Sequence, residues 1–314
     1  AGTTATTNGT VLSYDGSDQP NVSLYYGPTT LPLDNLQLWL DASDLTSAGA
    51  TWNDMSGSNN SASREGTPAV VSDAQNGLSV MRYSANGQFH YFNKMTDIRT
   101  VFWVLKRTGA DTEERFLLGD HTSSPDTYHF HSNGQTMYFS TYAHANVRNG
   151  TTRLNGTVIN GTSTSFPSSM SVISLKTSGN VTASSFSRDR AYSERVWKGD
   201  LGELLIFNTA LQDSQIEKIE GYLAHKWGLE SNLPSGHAYK SSASATITSL
   251  GTKSVGAFTH NLTGLSAGQR YEFQFSASNA GGTTLSGVNS FVTLGLPQLL
   301  IPGATDVTKT SVTL

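Results

Sequence analysis

The chain has 314 residues, a formal net charge of -4 and only 14% charged side chains. A chain of this length is expected to form about two or three domains. The low charge and the lack of a basic stripe argue against nucleic acid as a partner. The absence of cysteine excludes disulfides and a thiol nucleophile. No apolar run reaches the roughly 20 residues of a membrane-spanning helix, so no membrane insertion is expected.

Turn signals and short apolar runs alternate along most of the chain. Asn-Gly pairs, which suit tight hairpin turns, recur from Asn8-Gly9 to Asn160-Gly161. Between them lie short runs rich in β-branched and aromatic residues, at 36–40, 100–105, 128–131, 136–142, 171–175 and 203–207. This pattern predicts an all-β sandwich or barrel rather than alternating strands and helices.

One segment carries a helical pattern. Ile216, Ile219, Leu223 and Trp227 recur at helical spacing, and Gly228 provides a natural stop. Ser214 to Glu217 has the form of a capping box, in which the two side chains satisfy free backbone N–H groups at a helix start. The sequence therefore predicts a helix at about 213–226.

The outer segments read as a separate small domain. Strands are predicted at 21–26, 258–262, 271–279 and 290–293, and residues 265–271 have the spacing of a tyrosine corner that ends in Tyr271. Residues 250–293 supply only about half of a sandwich, and the missing early strands match residues 3–26. We therefore expect a discontinuous domain, 1–30 plus 241–293, interrupted by an insert, 31–240.

Sequence motifs span most of the insert: Leu38-Trp39-Leu40-Asp41-Ala42-Ser43-Asp44, residues 52–60, residues 199–211 and Gly221-Tyr222-Leu223-Ala224-His225-Lys226-Trp227-Gly228-Leu229. These motifs resemble the concanavalin-A-like, laminin-G-type family of large bacterial surface proteins. The resemblance implies a jelly-roll sandwich of two packed antiparallel sheets with one C-terminal helix, used for adhesion, glycan binding or architecture.

The outer domain resembles fibronectin type III. The residues that carry this resemblance are Asn8-Gly9-Thr10-Val11, Tyr25-Tyr26-Gly27, the tyrosine corner and residues 277–282. The expected fold class is therefore all-β: a laminin-G-like jelly-roll sandwich plus an immunoglobulin-like fibronectin type III sandwich.

The last residues, 294–314, read as a linker followed by a candidate donor strand. The strand comprises Gly303, Ala304, Thr305, Asp306, Val307, Thr308, Lys309, Thr310, Ser311, Val312, Thr313 and Leu314. It looks like the opening strand of another fibronectin-type domain, whereas the N-terminus looks like the second strand of one. Either copies polymerise head to tail by strand donation, or the chain is one unit of a longer tandem array.

No catalytic pattern stands out. Jelly-roll laminarinases carry a Glu-x-Asp-x-x-Glu strand, and this sequence has none, so the paired carboxylates of a glycosidase are not expected. Nucleophile-elbow, phosphate-loop and zinc-protease motifs are also missing. We predict that the protein is not an enzyme.

Calcium is the candidate cofactor. Many laminin-G-like domains bind Ca²⁺ at a sheet edge through oxygen ligands, and the resemblance places four candidate oxygen donors in its matching segments: Asp54, Asn59, Asn60 and Glu203. The alternative is that Asp54 and Asn60 bond only to the backbone of their own turn.

Two further sets of residues are weaker candidates. Aromatic rings could stack on sugars, and the candidates for such a platform are Trp52, Tyr128, Tyr138, Tyr142 and Trp197. The favoured alternative is that several of these rings belong to the core. A pair of imidazoles, His129 and His131, is predicted on one solvent-facing strand face, with Asp120 and His144 nearby. Zinc would need three or four such ligands to converge, so a polar strand face is favoured.

These observations favour a structural function. The sequence predicts an extracellular, cell-surface building block of a fibre, sheath or adhesin that self-associates. The alternative is a lectin-type module in which the insert binds glycan, with or without Ca²⁺.

Overall fold

The computed structural model describes residues 3–11, 19–27, 31–109, 115–121, 129–188, 190, 194–241, 243, 246–265, 270–279 and 282–293. The chain is all-β in these ranges. Its strands are β1 (Thr3–Val11), β2 (Asn21–Gly27), β3 (Leu36–Asp41), β4 (Thr51–Trp52), β5 (Ala62–Glu65), β6 (Ala69–Gln75), β7 (Leu78–Tyr83), β8 (Phe89–Arg107), β9 (Leu118–Gly119), β10 (Thr151–Leu154), β11 (Thr157–Ile159), β12 (Ser171–Phe186), β13 (Gly199–Phe207), β14 (Thr246–Thr252), β15 (Gly256–Leu265), β16 (Arg270–Asn279), β17 (Gly282–Leu285) and β18 (Asn289–Val292). The helices are α1 (Ala145–Arg148) and α2 (Asp213–Lys226), with a 3-10 turn at Glu230–Asn232.

The large domain is an eleven-stranded antiparallel network built from β3 to β13. Its central order is β11-β10-β12-β8-β13-β7-β6, and β3 pairs with β13. The two longest strands, β8 and β12, pair along most of their length, with register shifts between Lys176 and Ser185. Such bulges bend a strand and increase its local twist.

The central strands of this domain are buried on both faces. In β8, Val101, Trp103 and Leu105 face one apolar cluster, whereas Phe102 and Val104 face a second. The same alternation continues along β13 and β3. Helix α2 covers the second face. Because successive side chains of a strand point to opposite sides, a nearly continuous apolar run is what a strand covered on both faces requires.

The predicted helix is confirmed with its bounds, Asp213–Lys226, but its N-terminal cap was assigned to the wrong residues. Gln212 is the cap residue, and its backbone N–H donates to Oε1 of Gln215 at 2.9 Å. Ser214 lies inside the first turn. The Ser-x-x-Glu pattern that predicted the capping box therefore lies two residues too far along the chain.

The small domain combines strands from both ends of the described chain. Strand β2 pairs with β14 and β16 in a five-stranded sheet, and β1 pairs with β15 in a two-stranded sheet. A compact core that includes Leu24, Leu262 and Phe275 lies between them. The chain therefore leaves the small domain after β2, forms the large domain with residues 31–241, and returns to the small domain at β14.

Two predicted strands are not formed. Residues 136–142 form bends and turns. Residue 128 lies outside the described residues, and residues 129–131 form only an isolated bridge, between Phe116 and His131. The side chain of Asn133 explains the first difference. Its Oδ1 accepts the backbone N–H groups of Gln135 at 2.9 Å and Thr136 at 2.8 Å. Asparagine side chains that capture local backbone donors favour a turn over a strand ladder.

A buried histidine makes the stability of the large domain depend on pH. Burial, helped by Arg64, lowers the pKa of His90 from 6.5 to about 3, and its Nδ1 shares a hydrogen bond with the hydroxyl of Tyr83 at 2.6 Å. Between these pKa values the unfolded chain binds the proton and the folded chain does not. The free energy of unfolding should therefore fall by about 3–4 kcal/mol as the pH drops from 6.5 towards 3.

Urea unfolding at a series of pH values would measure this slope. The variant His90→Gln keeps a hydrogen-bonding group for Tyr83 and lacks the titrating ring, so its unfolding free energy should vary less with pH. An equal slope in the two proteins would show that His90 is not the group responsible.

Candidate functional site

A cleft of about 570 Å³ separates the large domain from the small domain. The small domain contributes hydroxyl side chains to it, among them Ser23, Ser249 and Ser276. The large domain contributes the end of β3 and the last turn of α2, where Asp41 and Lys226 lie. Hydroxyl groups of the small domain and charged groups of the large domain thus meet across the cleft, whose lining also includes apolar side chains from both domains.

The two domains are joined beside the cleft by a polar contact. Thr283 of β17 donates its hydroxyl to the carbonyl oxygen of Asp54 at 2.6 Å, and its backbone N–H donates to Oδ1 of Asn59 at 3.2 Å. Gly282 has φ +128°, and a Cβ there would lie 1.8 Å from the same Oδ1. Glycine is required at this position both by the backbone conformation and by the close approach of Asn59.

The carboxylate of Asp54 organises the loop that makes this contact. Its Oδ1 accepts the backbone N–H groups of Trp39 at 2.8 Å and Ser56 at 2.9 Å. Its Oδ2 accepts the Ser56 hydroxyl at 2.7 Å and the backbone N–H of Asn60 at 2.9 Å. Asp54 is buried, and these donors surround both of its oxygens.

Glu203 lies on β13 in the core, under the last turn of α2, and is fully buried. Its Oε1 accepts the indole N–H of Trp39 at 2.7 Å and the hydroxyl of Tyr222 at 3.1 Å. Its Oε2 accepts the indole N–H of Trp227 at 2.8 Å and lies 3.0 Å from Nζ of Lys226. Burial raises the pKa of this carboxyl above its usual value, although Lys226 opposes the shift.

Lys226 ends α2 and connects this buried carboxyl to the cleft. Its ammonium contacts Oδ2 of Asp41 and the hydroxyl of Tyr222, in addition to Glu203. Burial by itself lowers the pKa of Lys226, but the charges of Asp41 and Glu203 outweigh burial and raise it. One cation thus faces two carboxyl groups, Asp41 and Glu203.

The four predicted calcium ligands fall into two separate groups. Asp54, Asn59 and Asn60 lie in the loop at the domain contact, and Glu203 lies under α2. Trp39 links the groups, since its backbone N–H donates to Asp54 and its indole N–H to Glu203. Among the described residues, no group of three or more acidic or histidine side chains is arranged to hold a metal ion. Calcium binding stays a prediction, and the hydrogen bonds of Asp54 match the alternative of a turn-forming carboxylate.

The predicted aromatic platform is not formed by the side chains that the structure describes. Trp52, Tyr138 and Trp197 are at most 3% exposed and belong to the core of the large domain. Tyr142 is 46% exposed, and Tyr128 lies outside the described residues. The sequence pattern did not distinguish buried rings from exposed ones, and the large hydrophobic core of this domain contains three of the candidates.

The imidazole pair is buried rather than solvent-facing. His129 and His131 are each 2% exposed, and the ring of His131 packs edge-on against Phe116. Asp120 is also buried, and its ion pair is with Lys94. The expectation of a polar strand face at this position was therefore wrong.

Two predicted features fall outside the described residues. The first is the candidate donor strand, 303–314, together with its linker. The second is the middle of the tyrosine corner, 266–269, although Tyr271 itself is buried at the start of β16. Within the part of the chain that the structure describes, no helix is both long and apolar enough to cross a bilayer.

The chain matches no protein-family model, no curated protein and no solved structure. The resemblances to laminin-G-type and fibronectin type III domains therefore stay predictions.

Asp41, Tyr222 and Lys226 belong to one polar cluster that was not predicted from the sequence. Tyr222 and Lys226 are four residues apart on α2, so they share a face of the helix. That spacing was visible in the sequence. Their meeting with Asp41, 185 residues away from Lys226, was not.

The variant Asp54→Ala tests the role of the loop carboxylate. It leaves the backbone N–H groups of Trp39, Ser56 and Asn60 without their acceptor, so the free energy of unfolding should fall by about 2–4 kcal/mol. Urea unfolding with a chelator and with added calcium would measure the loss, which should be equal in both.

Asp44→Ala is the matched control, because Asp44 is exposed and its replacement should change stability by less than about 0.5 kcal/mol. A loss for Asp54→Ala that appears only in calcium would instead identify Asp54 as a metal ligand.

Proposed function

We propose that this protein is a structural building block of an extracellular fibre, sheath or adhesin, whose copies associate head to tail. In this proposal the small domain is a fibronectin-type connecting unit, and the large domain is a laminin-G-like jelly roll mounted on its side. The observation that carries the proposal is the edge of β1.

Strand β1 is paired on one side only within the described ranges. Its register with β15 runs from Thr3 opposite Leu265 to Val11 opposite Gly256. The facing sheet of the small domain has five strands, whereas the sheet of β1 and β15 has two. A strand edge of this kind presents a row of backbone N–H and C=O groups that another extended segment can pair with.

The core of the small domain also favours an added strand. Several of its aromatic side chains, such as Phe258, Phe273 and Phe291, are only partly buried, although they pack against the cluster around Phe275. A further strand along β1 would extend the two-stranded sheet over this core. The gain would be both backbone pairing and removal of apolar surface from water.

The tail, 303–314, has the composition of such a strand. It is rich in Thr and carries Val307, Val312 and Leu314, and twelve extended residues reach about 40 Å. Pairing of the tail of one copy with β1 of the next uses two different surfaces. A contact between different surfaces builds a filament when the rotation between copies does not close a ring.

Deletion of residues 303–314 tests strand donation. The full chain should elute as concentration-dependent oligomers and form filaments in electron micrographs, whereas the truncated chain should be a monomer with a lower melting temperature. A synthetic peptide of residues 303–314 should restore the melting temperature of the truncated chain, because it supplies the missing strand.

The control is the same peptide with Val312→Asp, which should bind more weakly because it places a charge at an apolar position of the strand. Monomers of equal stability with and without the tail, and no effect of the peptide, would contradict strand donation.

A second candidate function is glycan binding in the cleft between the domains. Its lining favours this alternative, because hydroxyl side chains and the exposed amide of Asn53 suit the hydroxyl groups of a sugar. The cleft volume of about 570 Å³ lies within the range usual for small-molecule sites.

A thermal-shift screen with neutral mono- and oligosaccharides tests this alternative. A sugar that binds in the cleft should raise the melting temperature of the protein, and Asn53→Ala should weaken the shift. Asn86→Ala, in an exposed turn outside the cleft, should leave it unchanged. An equal shift in both variants would place the bound sugar elsewhere.

A further inference from the structure

The polar cluster under the last turn of α2 brings a primary amine, a carboxyl group and a second, fully buried carboxyl group together. We propose that Lys226 and Asp41 join through an intramolecular amide bond between Nζ and Cγ, and that Glu203 is the catalytic residue that transfers the protons. This inference concerns the large domain alone and does not depend on strand donation.

Secondary structure fixes the three groups against each other. Asp41 ends β3 and lies opposite Glu203 in the register of β3 with β13. Lys226 ends α2, which packs on the same strands. Nζ of Lys226 contacts Oδ2 of Asp41 directly and lies 3.0 Å from Oε2 of Glu203. Holding an amine and a carboxyl group in contact replaces a bimolecular encounter and raises their effective concentration by orders of magnitude.

The surroundings exclude most solvent from the reacting groups. The side chains of Lys226, Asp41 and Glu203 are 15%, 8% and 0% exposed. Trp39, Trp227 and Tyr222 are buried around them. Burial by itself destabilises the charged forms of an amine and an acid, although at Lys226 the charges of the two carboxyl groups outweigh burial. Only the neutral amine is a nucleophile.

Hydrogen bonds assign a role to each oxygen of Asp41. Its Oδ1 accepts the backbone N–H of Ser43 at 2.9 Å, and its Oδ2 faces Lys226. A backbone N–H at Oδ1 stabilises the negative charge that this oxygen gains when the amine adds to Cγ. We therefore assign Oδ1 to the carbonyl oxygen of the amide and Oδ2 to the leaving water.

The reaction balances without any co-reactant. Lys226 first passes a proton to Asp41, which gives a neutral amine and a neutral carboxylic acid. The nitrogen lone pair adds to Cγ, Glu203 takes a proton from the nitrogen and delivers a proton to Oδ2, and the C–Oδ2 bond breaks. Ammonium plus carboxylate thus gives one amide and one water, and Glu203 ends in its starting state.

The two carboxyl groups, Asp41 and Glu203, also slow this reaction. They raise the pKa of Lys226, so the amine is neutral for only a small fraction of the time. The bond needs to form only once in each molecule, so a slow reaction is sufficient. The product would join β3 to α2 across 185 residues, and a cross-link that closes so long a loop restricts the unfolded chain strongly.

Intact-mass measurement of the denatured full chain tests the bond. The chain should be lighter than its sequence mass by one water molecule. Proteolytic digestion should give a branched peptide in which the segment around residue 41 is joined to the segment around residue 226, with no cleavage after Lys226. A chain of full sequence mass, with separate linear peptides for the two segments, would overturn the proposal regardless of how any variant folds.

Three variants, each checked for retained fold by circular dichroism, locate the chemistry. Lys226→Arg keeps the positive charge and should have the full sequence mass. Lys176→Arg alters the exposed ion pair with Asp213 and should still lack one water. Glu203→Gln keeps the volume of the side chain and should slow or abolish the loss of water. A folded Glu203→Gln protein that forms the bond as fast as the original chain would overturn the role of Glu203.

Discussion

The large domain depends on a carboxyl group that water cannot reach. Glu203 accepts hydrogen bonds from Trp39 of β3 and from Trp227 and Tyr222 of the α2 region, so it connects a strand and the helix that packs over it. A buried carboxyl group is costly unless all its acceptor positions are used. The partners of Glu203 therefore have to keep their positions, and they fix where α2 ends relative to the sheet.

The arrangement around Asp54 follows the same physical rule at the domain contact. Both oxygens of this carboxylate accept hydrogen bonds that hold the loop in place. The loop in turn presents the backbone carbonyl of Asp54 and the side-chain amide oxygen of Asn59 as acceptors for Thr283. Trp39 is bound to both carboxylates, one through its backbone and one through its ring. Trp39 thus connects the core of the large domain, through hydrogen bonds, to the loop that contacts the small domain.

The proposed functions draw on different parts of this structure. Strand donation concerns the edge of β1, glycan binding concerns the cleft, and the amide bond concerns the floor of the cleft under α2. A unit of an extended assembly that bears load would be strengthened by a covalent link between its first large-domain strand and its helix. Strand donation shares no residue with the other two, whereas four residues of the polar cluster under α2 also line the cleft: Asp41, Ser43, Tyr222 and Lys226.

The sequence by itself determined what depends on local pattern. Turn residues and β-branched runs predicted the all-β class, and the spacing from Ile216 to Trp227 predicted that α2 exists and where it ends, because a 3.6-residue period involves only neighbouring positions. Tertiary structure decided what depends on distant residues. The burial of Trp52 and Trp197, and the meeting of Asp41, Glu203 and Lys226, arise from strand register and helix packing across long stretches of chain. A local pattern cannot contain such contacts, because the residues that make them are adjacent only after the chain has folded.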